Sequence, residues 1–204
     1  MNTPSATNSS VYIVDDDQAI RRAMELLMRS VGLDYEIFHS ADDFLASHSN
    51  DRAGCLVLDI RMPGLGGLEL QEKLNEMGST LPVIFITGHG DVPMAVEAMQ
   101  KGAVGFIQKP FRDQDLLDQV SEALKTDQER RSVRDQKAEV ASRIEKLTKR
   151  EHEVMDLVVT GKPNKVIAYE LGVSQRTVEI HRARVMEKME ARSLADLVRM
   201  QLAS

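Results

Sequence analysis

The 204-residue sequence has a single cysteine and no long hydrophobic run. These two features argue against a domain held together by disulfides and against a protein with membrane-spanning helices. Cys55 cannot form an internal disulfide, and its apolar surroundings predict a buried thiol in a reducing compartment. No apolar stretch approaches the ~20 residues of a membrane-spanning helix. Residues 1–10 lack the basic and apolar parts of a signal peptide. We therefore expect a cytoplasmic protein with a disordered tail over residues 1–10.

Positive charge is scarce in the first part of the chain and in excess in the second. Residues 1–125 hold 19 acidic and 10 basic side chains, whereas residues 126–204 hold 13 acidic and 16 basic ones. The total of −6 conceals this asymmetry. It predicts two domains, and the basic second domain favours nucleic acid as a partner.

Glycine and proline are absent from residues 111–160. Residues 126–137 have one large apolar side chain, Val133, and Asp127 is followed four residues later by Arg131. Glu139 and Arg143 repeat this spacing, which pairs charges on a helix surface. We predict a helical linker over residues 126–146 that continues the last helix of the first domain. A run of mixed charges is typical of a solvated surface, so no chemistry is assigned to it.

Residues 11–125 alternate five apolar strands with five helices. This order predicts a flavodoxin-like, doubly wound α/β domain with a parallel sheet of strand order 2-1-3-4-5. The central strand is the apolar run at 55–58, which reads as buried on both faces and is followed directly by Asp59. The other strands are expected at 11–14, 35–39, 83–86 and 104–107. Helical spacing places Val31 on the inner face of the first helix, and Val96 and Met99 on the inner face of the fourth.

Polar side chains stand where four of these strands end. Asp15 and Asp16 follow strand 1, Asp59 follows strand 3, Thr87 follows strand 4 and Lys109 follows strand 5. Taken singly, each fits an ordinary role as a helix cap, a loop anchor or a surface turn. The carboxyl ends of parallel strands meet at one edge, so together these residues predict a joint site there.

The chemistry of this set is that of phosphoryl transfer. Neighbouring carboxylates raise one another's pKa unless a cation neutralises them, and all-oxygen ligands suit Mg²⁺. Lys109 offers a positive charge to a phosphate oxygen and Thr87 a hydroxyl donor. Asp59 is then the candidate nucleophile.

The motifs at the strand ends resemble the receiver domain of two-component response regulators. They are Val-Asp-Asp-Asp at 14–17, Leu-Asp-Ile-Arg-Met-Pro-Gly at 58–64, Thr-Gly-His-Gly at 87–90 and Lys-Pro-Phe at 109–111. The resemblance covers residues 11–125. It implies that Asp59 accepts phosphate from a sensor histidine kinase, and that Mg²⁺ binds Asp16, Asp59 and the backbone carbonyl of Arg61, with help from Asp15.

The same resemblance assigns further roles. Thr87 is implied to move towards the phosphate while Phe106 turns inward, and Lys109 to act beside Asp59 next to a cis peptide bond to Pro110. Phosphorylation is implied to pair two receivers through the fourth helix, fifth strand and fifth helix. Arg61 and His89 lie at the rim, where we expect them to set the lifetime of the phosphate.

Residues 147–204 show a helix-turn-helix pattern. Thr148 and Glu151 form a capping box, Asn164 is expected to cap a second helix, and the turn 172–174 leads to Ser174 as the cap of a third helix ending near Met189. A helical projection places Val178, His181, Val185 and Met189 on the inner face of this third helix. Arg176, Ile180, Ala183, Arg184 and Glu187 point outward, with Glu179 at the border, as a helix that enters a major groove requires.

The segment resembles the DNA-binding domain of LuxR-type regulators. The shared motifs are Leu-Thr-Lys-Arg-Glu-His-Glu-Val at 147–154, Gly-Lys-Pro-Asn-Lys-Val-Ile-Ala at 161–168 and Ser-Gln-Arg-Thr-Val-Glu-Ile-His at 174–181. The whole chain is thus similar to response regulators of the FixJ/NarL type, and also to regulators of aromatic-compound breakdown. The implied DNA-binding residues are Lys165, Ser174, Arg176, Thr177, Glu179, Ile180, His181, Arg182, Ala183, Arg184 and Lys188.

This resemblance implies a transcription factor that dimerises on phosphorylation, works with RNA polymerase and activates its genes. Two other hypotheses share parts of the pattern. A Mg²⁺-dependent phosphatase would also use Asp59, but Arg61 stands where such an enzyme has a second acid. A phosphorylation-gated module could instead hold protein with its C-terminal helices, and the salt dependence of DNA binding separates it from a transcription factor.

Overall fold

The computed structural model describes residues 9–88 and 92–203, and it describes the backbone alone at Val92 and Ala203. The expected tail lies mostly, and His89 wholly, outside the described residues. The chain divides into two compact units, Met1–Arg131 and Ser132–Ser204.

The first unit is built on a five-stranded parallel sheet of order β2-β1-β3-β4-β5, which confirms the predicted topology. Each strand lies within about two residues of its predicted position. The strands are β1 Ser10–Val14, β2 Tyr35–Phe38, β3 Gly54–Asp59, β4 Val83–Thr87 and β5 Gly105–Gln108. The helices are α1 Gln18–Ser30, α2 Ala41–Ser47, α3 Gly67–Glu76, α4 Val92–Gln100 and α5 Asp113–Glu145.

Every residue of β3 is buried because helices cover both faces of the sheet. Alternate side chains serve two cores: Leu56 and Leu58 belong to one, Cys55 and Val57 to the other. Burial raises the pKa of the Cys55 thiol to about 12, and the nearby carboxylate of Asp127 adds to the effect. Cys55 is therefore the inert, buried thiol that the sequence predicts.

The inner faces of α1 and α4 differ from the predicted ones. Val31 was expected to face the core, but α1 ends at Ser30, and Val31 is 47% exposed. On α4, Val96 and Met99 were expected inside, and each is 48% exposed. The helix packs instead through the small side chain of Ala98, which is fully buried. The pattern of apolar residues in this nine-residue helix does not determine which of its faces is buried. Its contacts with the rest of the domain decide this.

Helix α5 continues without interruption through the predicted linker to Glu145. Asp127, expected on a solvated surface, is instead fully buried. Its Oδ2 accepts hydrogen bonds from the backbone N–H of Gly54 at 2.8 Å and from Nε of Arg131 at 2.8 Å. The carboxylate therefore fastens this part of α5 to the start of β3.

The second unit packs the end of α5 and four further helices around one core. These helices are α6 Lys149–Val159, α7 Asn164–Leu171, α8 Gln175–Lys188 and α9 Leu194–Ala203. The capping box of Thr148 and Glu151 is present, and Ser174 caps α8 as predicted. The expectation for Asn164 was wrong, because Pro163 is the N-cap of α7 and Asn164 is its first residue. Among the described helices, none combines the length and apolar character needed to cross a bilayer.

Candidate functional site

Asp59 ends β3 at the carboxyl edge of the sheet. Its Oδ2 accepts a hydrogen bond from the backbone N–H of Arg61 at 2.8 Å, and its side chain is 8% exposed. The backbone at Gly67 passes so close to this strand end that a Cβ on Gly67 would lie 2.3 Å from the carbonyl oxygen of Asp59. A glycine at position 67 therefore lets α3 begin directly against the end of β3.

Lys109 joins the ends of β1, β3 and β5. Its ammonium donates to Oδ2 of Asp15 and to Oδ1 of Asp59, each at 2.8 Å. Asp15 is 2% exposed, and its other oxygen, Oδ1, accepts the backbone N–H of Asp17 at 2.8 Å. The peptide bond from Lys109 to Pro110 is cis, as predicted. Three residues separated by as many as 94 positions thus form one ion cluster.

The electrostatics of this cluster balance burial against charge. Burial raises the pKa of Asp59, and the negative charge of Asp15 raises it further, whereas Lys109 and the N–H of Arg61 act in the opposite direction. Burial alone would lower the pKa of Lys109, but its bonds to Asp15 and Asp59 outweigh this effect and raise it. The lysine is therefore held as a cation next to Asp59.

Thr87 and Phe106 lie on the two neighbouring strands. Thr87 is the last residue of β4 and is 1% exposed, and its carbonyl oxygen accepts the backbone N–H of Lys109 at 2.7 Å. Phe106 lies on β5, is half-buried and packs against the core on one side of the sheet. Among the described residues, no atom lies within 4 Å of the position that a Cβ on Gly88, which follows Thr87, would take.

The residues at this edge of the sheet supply some, but not all, of the oxygen ligands that a cation such as Mg²⁺ needs. The Lys109 ammonium shows that one oxygen of Asp15 and one of Asp59 converge on a single point, and carboxylate oxygens suit Mg²⁺. Asp16, the third predicted carboxylate, is exposed. Within residues 9–88 and 92–203, no three His, Cys, Asp or Glu side chains are grouped closely enough to hold a metal. Water or a backbone carbonyl such as that of Arg61 would have to complete the shell.

Helix α8 presents the predicted outer face to solvent. Val178, Val185 and Met189 are buried on its inner side. The outer side chains of Arg176, Glu179, Ile180, Ala183, Arg184 and Glu187 are all exposed, and so is Lys165 on α7. Ile180 is 47% exposed, so an apolar group stands among the charges of this face.

Other predicted DNA-binding residues have partners within the domain. Lys188 donates to Oε2 of Glu151 at 2.6 Å, and Arg182 donates to Oδ1 of Asn164 at 3.0 Å. The hydroxyls of Ser174 and Thr177 lie 2.8 Å apart at the start of α8. His181 is half-buried, and among the described residues nothing bonds its Nδ1. Lys188 and Arg182 therefore make hydrogen bonds within the domain, and Ser174 and Thr177 do so at the start of α8.

Two family models match the chain. The response regulator receiver domain matches residues 11–121, more than half of the chain, and the luxR family of bacterial regulatory proteins matches residues 145–201. The chain therefore belongs to the response regulators that join a receiver to a LuxR-type DNA-binding domain and regulate transcription. This is a class of regulators rather than of enzymes.

Along nearly its whole length the chain is similar to two named proteins and to one solved structure. It is 50% identical over 199 residues to nodulation protein W of Bradyrhizobium diazoefficiens, covering 98% of this chain and 88% of the relative. It is 45% identical to the transcriptional regulatory protein FixJ of Rhizobium meliloti, covering 97% of each. The solved structure of response regulator StyR matches with a TM-score of 0.90 and 43% identity, covering 97% of this chain and 100% of StyR. The predicted resemblance to the FixJ type is confirmed.

Sequence reasoning missed two charged residues of the second unit that contact α8. Arg143 and Glu190 are joined at 2.9 Å across 47 positions, and Arg143 also reaches Glu139 at 2.7 Å. The only signal in the sequence was the spacing of Glu139 and Arg143, which indicates a surface pair and nothing more.

Proposed function

We propose that Asp59 accepts a phosphoryl group from a phosphohistidine of a sensor histidine kinase. The observation that carries this proposal is the Lys109 ammonium, which is 2.8 Å from Oδ1 of Asp59 and 2.8 Å from Oδ2 of Asp15. A phosphoryl group on Asp59 would bring new negative charge next to this cation. Such a transfer needs mainly positioning and charge neutralisation, and the cluster supplies a positioned nucleophile and one of the positive charges.

Mg²⁺ is the proposed cofactor. It would be held by Asp15, Asp16, Asp59 and the backbone carbonyl of Arg61, and it would supply charge neutralisation at the phosphoryl oxygens. Asp59 provides the attacking oxygen, and the N–H of Arg61 keeps the other oxygen oriented. Phosphorylation should depend on Mg²⁺, which a small phosphodonor tests with and without a chelator.

Thr87 is the proposed link between the phosphate and the protein surface. Its hydroxyl would bond to the phosphoryl group, and Phe106, on the adjacent strand, would move further inward. The half-buried position of Phe106 leaves it room to be more or less exposed. Arg61 and His89 remain the residues proposed to set how long the phosphate lasts.

Receiver pairing is proposed to occur through α4, β5 and α5. Two apolar side chains on α4, Val96 and Met99, are each 48% exposed and give this face a patch that a second copy can cover. Pairing would bring two DNA-binding domains to two half-sites and raise affinity through effective concentration. We place this regulator in the cytoplasm, with RNA polymerase as a further partner and activation as its output.

Replacing Val96 and Met99 with Lys should uncouple pairing from phosphorylation. The doubly substituted protein is expected to take up phosphate normally, while its dimer dissociation constant rises on the order of tenfold or more, as for loss of a hot spot. Sedimentation with and without phosphodonor measures this. Met77→Lys is the matched control, because Met77 is 47% exposed but lies at the end of α3. Equal dimerisation of all variants would exclude this face.

The outer face of α8 is proposed to enter the major groove. Arg176 and Arg184 supply positive charge, Ile180 can contact a thymine methyl group, and Glu179 can accept from a cytosine amino group. DNA sites selected from a random pool, with and without phosphodonor, would give the sequence recognised.

Two substitutions in α8 should then have different effects on DNA binding. Ile180→Ala should change which site is preferred, whereas Arg176→Ala should lower the salt slope of binding by about one. Lys149→Ala, an exposed cation on α6, is the control and should change neither. Binding that does not depend on salt would favour a protein partner for these helices instead.

A further inference from the structure

The C-terminal ends of α5 and α8 are capped by each other's side chains. Lys188, in the last turn of α8, donates to the carbonyl oxygen of Lys146 at 3.1 Å, directly after the end of α5. Arg143, in the last turn of α5, donates through Nη1 to the carbonyl oxygen of Met189 at 3.1 Å, directly after the end of α8. Each helix therefore receives a cation from the other at its end.

Carboxylates hold both cations in place. Nη2 of Arg143 bonds to Glu190 at 2.9 Å and to Glu139 at 2.7 Å, and the Arg143 side chain is 15% exposed. Glu190 has a φ of 54°, the one positive φ outside glycine in residues 9–88 and 92–203. Lys188 bonds to Glu151, whose side chain is 2% exposed. Both cations are therefore held in place by hydrogen bonds to carboxylates.

The physical effect of this arrangement is strongest at helix ends. The last carbonyl groups of a helix have no hydrogen-bond partner within it and carry a partial negative charge. A cationic side chain at that end supplies both a hydrogen-bond donor and an opposite charge. Because the two caps are reciprocal, the last turn of α5 cannot rotate relative to α8 without breaking both. The outer face of α8 stays exposed. The two reciprocal caps set its orientation relative to the end of α5.

We propose that Arg143 and Lys188 are positioning residues for DNA recognition: by capping each other's helices they fix the orientation of α8, and neither contacts phosphate. This inference rests on the proposed DNA binding and reassigns Lys188, which the resemblance to LuxR-type regulators implied to be a DNA-binding residue. It also makes the last turn of α5 the element whose movement α8 must follow.

DNA binding by Arg143→Gln, Lys188→Gln and the double variant tests the proposal. Each single variant should bind the selected site about tenfold more weakly, the effect of one lost charge-assisted hydrogen bond, with an unchanged salt slope. The double variant should lose less than the product of the two losses, because the caps act together. Arg184→Gln is the matched control on the same helix, and it should lower the salt slope by about one.

A Lys188→Gln slope that falls by about one would show a phosphate contact and overturn the proposal. So would unchanged affinity for the selected site in both single variants. Glu190→Ala keeps both cations but removes one anchor of Arg143, and it should show a smaller loss in the same direction. It serves in place of Arg143→Gln if that variant fails to fold.

Hydrogen exchange provides a readout that needs no DNA. The amides of Met189, Glu190 and Ala191 bond to carbonyls of the last turns of α8 at 2.9, 3.0 and 2.9 Å. They should exchange faster in Arg143→Gln, while amides of α7 exchange as in the wild type. Unchanged exchange would overturn the reciprocal cap. Absence of DNA binding by the wild type would instead overturn the proposed function and leave the cap standing.

Discussion

Asp59→Asn is expected to abolish phosphoryl uptake and every response to a phosphodonor. The amide is not a nucleophile, but it has nearly the same shape, and its oxygen can still accept from Lys109 or the N–H of Arg61. The fold should therefore persist while the reaction stops. Gel separation of phosphorylated protein after incubation with acetyl phosphate and Mg²⁺ measures uptake, and sedimentation measures the loss of phosphodonor-induced pairing.

Asp42→Asn is the control for this experiment, because Asp42 is an exposed carboxylate on α2. It should take up phosphate as the wild type does. Stoichiometric, labile phosphate on Asp59→Asn would mean that another carboxylate, such as Asp15, is the acceptor. Continuous turnover of a phosphomonoester by the wild type would favour the phosphatase hypothesis instead.

Lys109→Met is expected to have the largest effect on stability. Asp15 and Asp59, 2% and 8% exposed, would face each other without a countercharge. Removing one partner of a buried ion pair costs about 3 to 5 kcal/mol, and the lower end fits here because the Lys109 side chain is 19% exposed. Urea unfolding measures the loss, and Mg²⁺ should recover part of it by taking the place of the ammonium.

The pH dependence of this loss has a definite sign. Burial already raises the pKa of Asp59, and removal of Lys109 takes away the main group that lowers it. A carboxyl with a raised pKa in the folded state binds its proton more tightly there, so the free energy of unfolding falls as pH rises from the unfolded pKa through the folded one. The variant's deficit should be greatest at neutral pH and shrink in acid. An equal deficit at all pH values would contradict this origin.

Lys101→Met is the matched control for stability. Lys101 also bonds two carboxylates, Glu72 and Glu97, but those side chains are 51% and 49% exposed. Water screens such a surface cluster, so its removal should lower the free energy of unfolding far less than the removal of Lys109 does. A similar loss in the two variants would show that burial does not distinguish the cluster at Asp59.

The sequence specified local structure well because local structure follows from patterns within a few residues. Short apolar runs indicated the five strands, and Thr148 with Glu151 indicated the start of α6. Because the predicted strands are parallel, Asp15, Asp59 and Lys109 were expected at one edge of the sheet. The buried face of a helix was predicted wrongly where its apolar pattern fits more than one orientation, as for Val96 and Met99 on α4.

What the sequence determined by itself is therefore the two domains, the order of the strands, the helix-turn-helix pattern and the residues at the sheet edge. Tertiary structure alone decided the burial of Asp127 against Gly54, 73 residues away, and the engagement of Lys188 with Glu151 and of Arg143 with Met189. The physical reason is range: propensity and periodicity act between neighbours along the chain. The partner of a charged side chain is set by packing between elements distant in sequence.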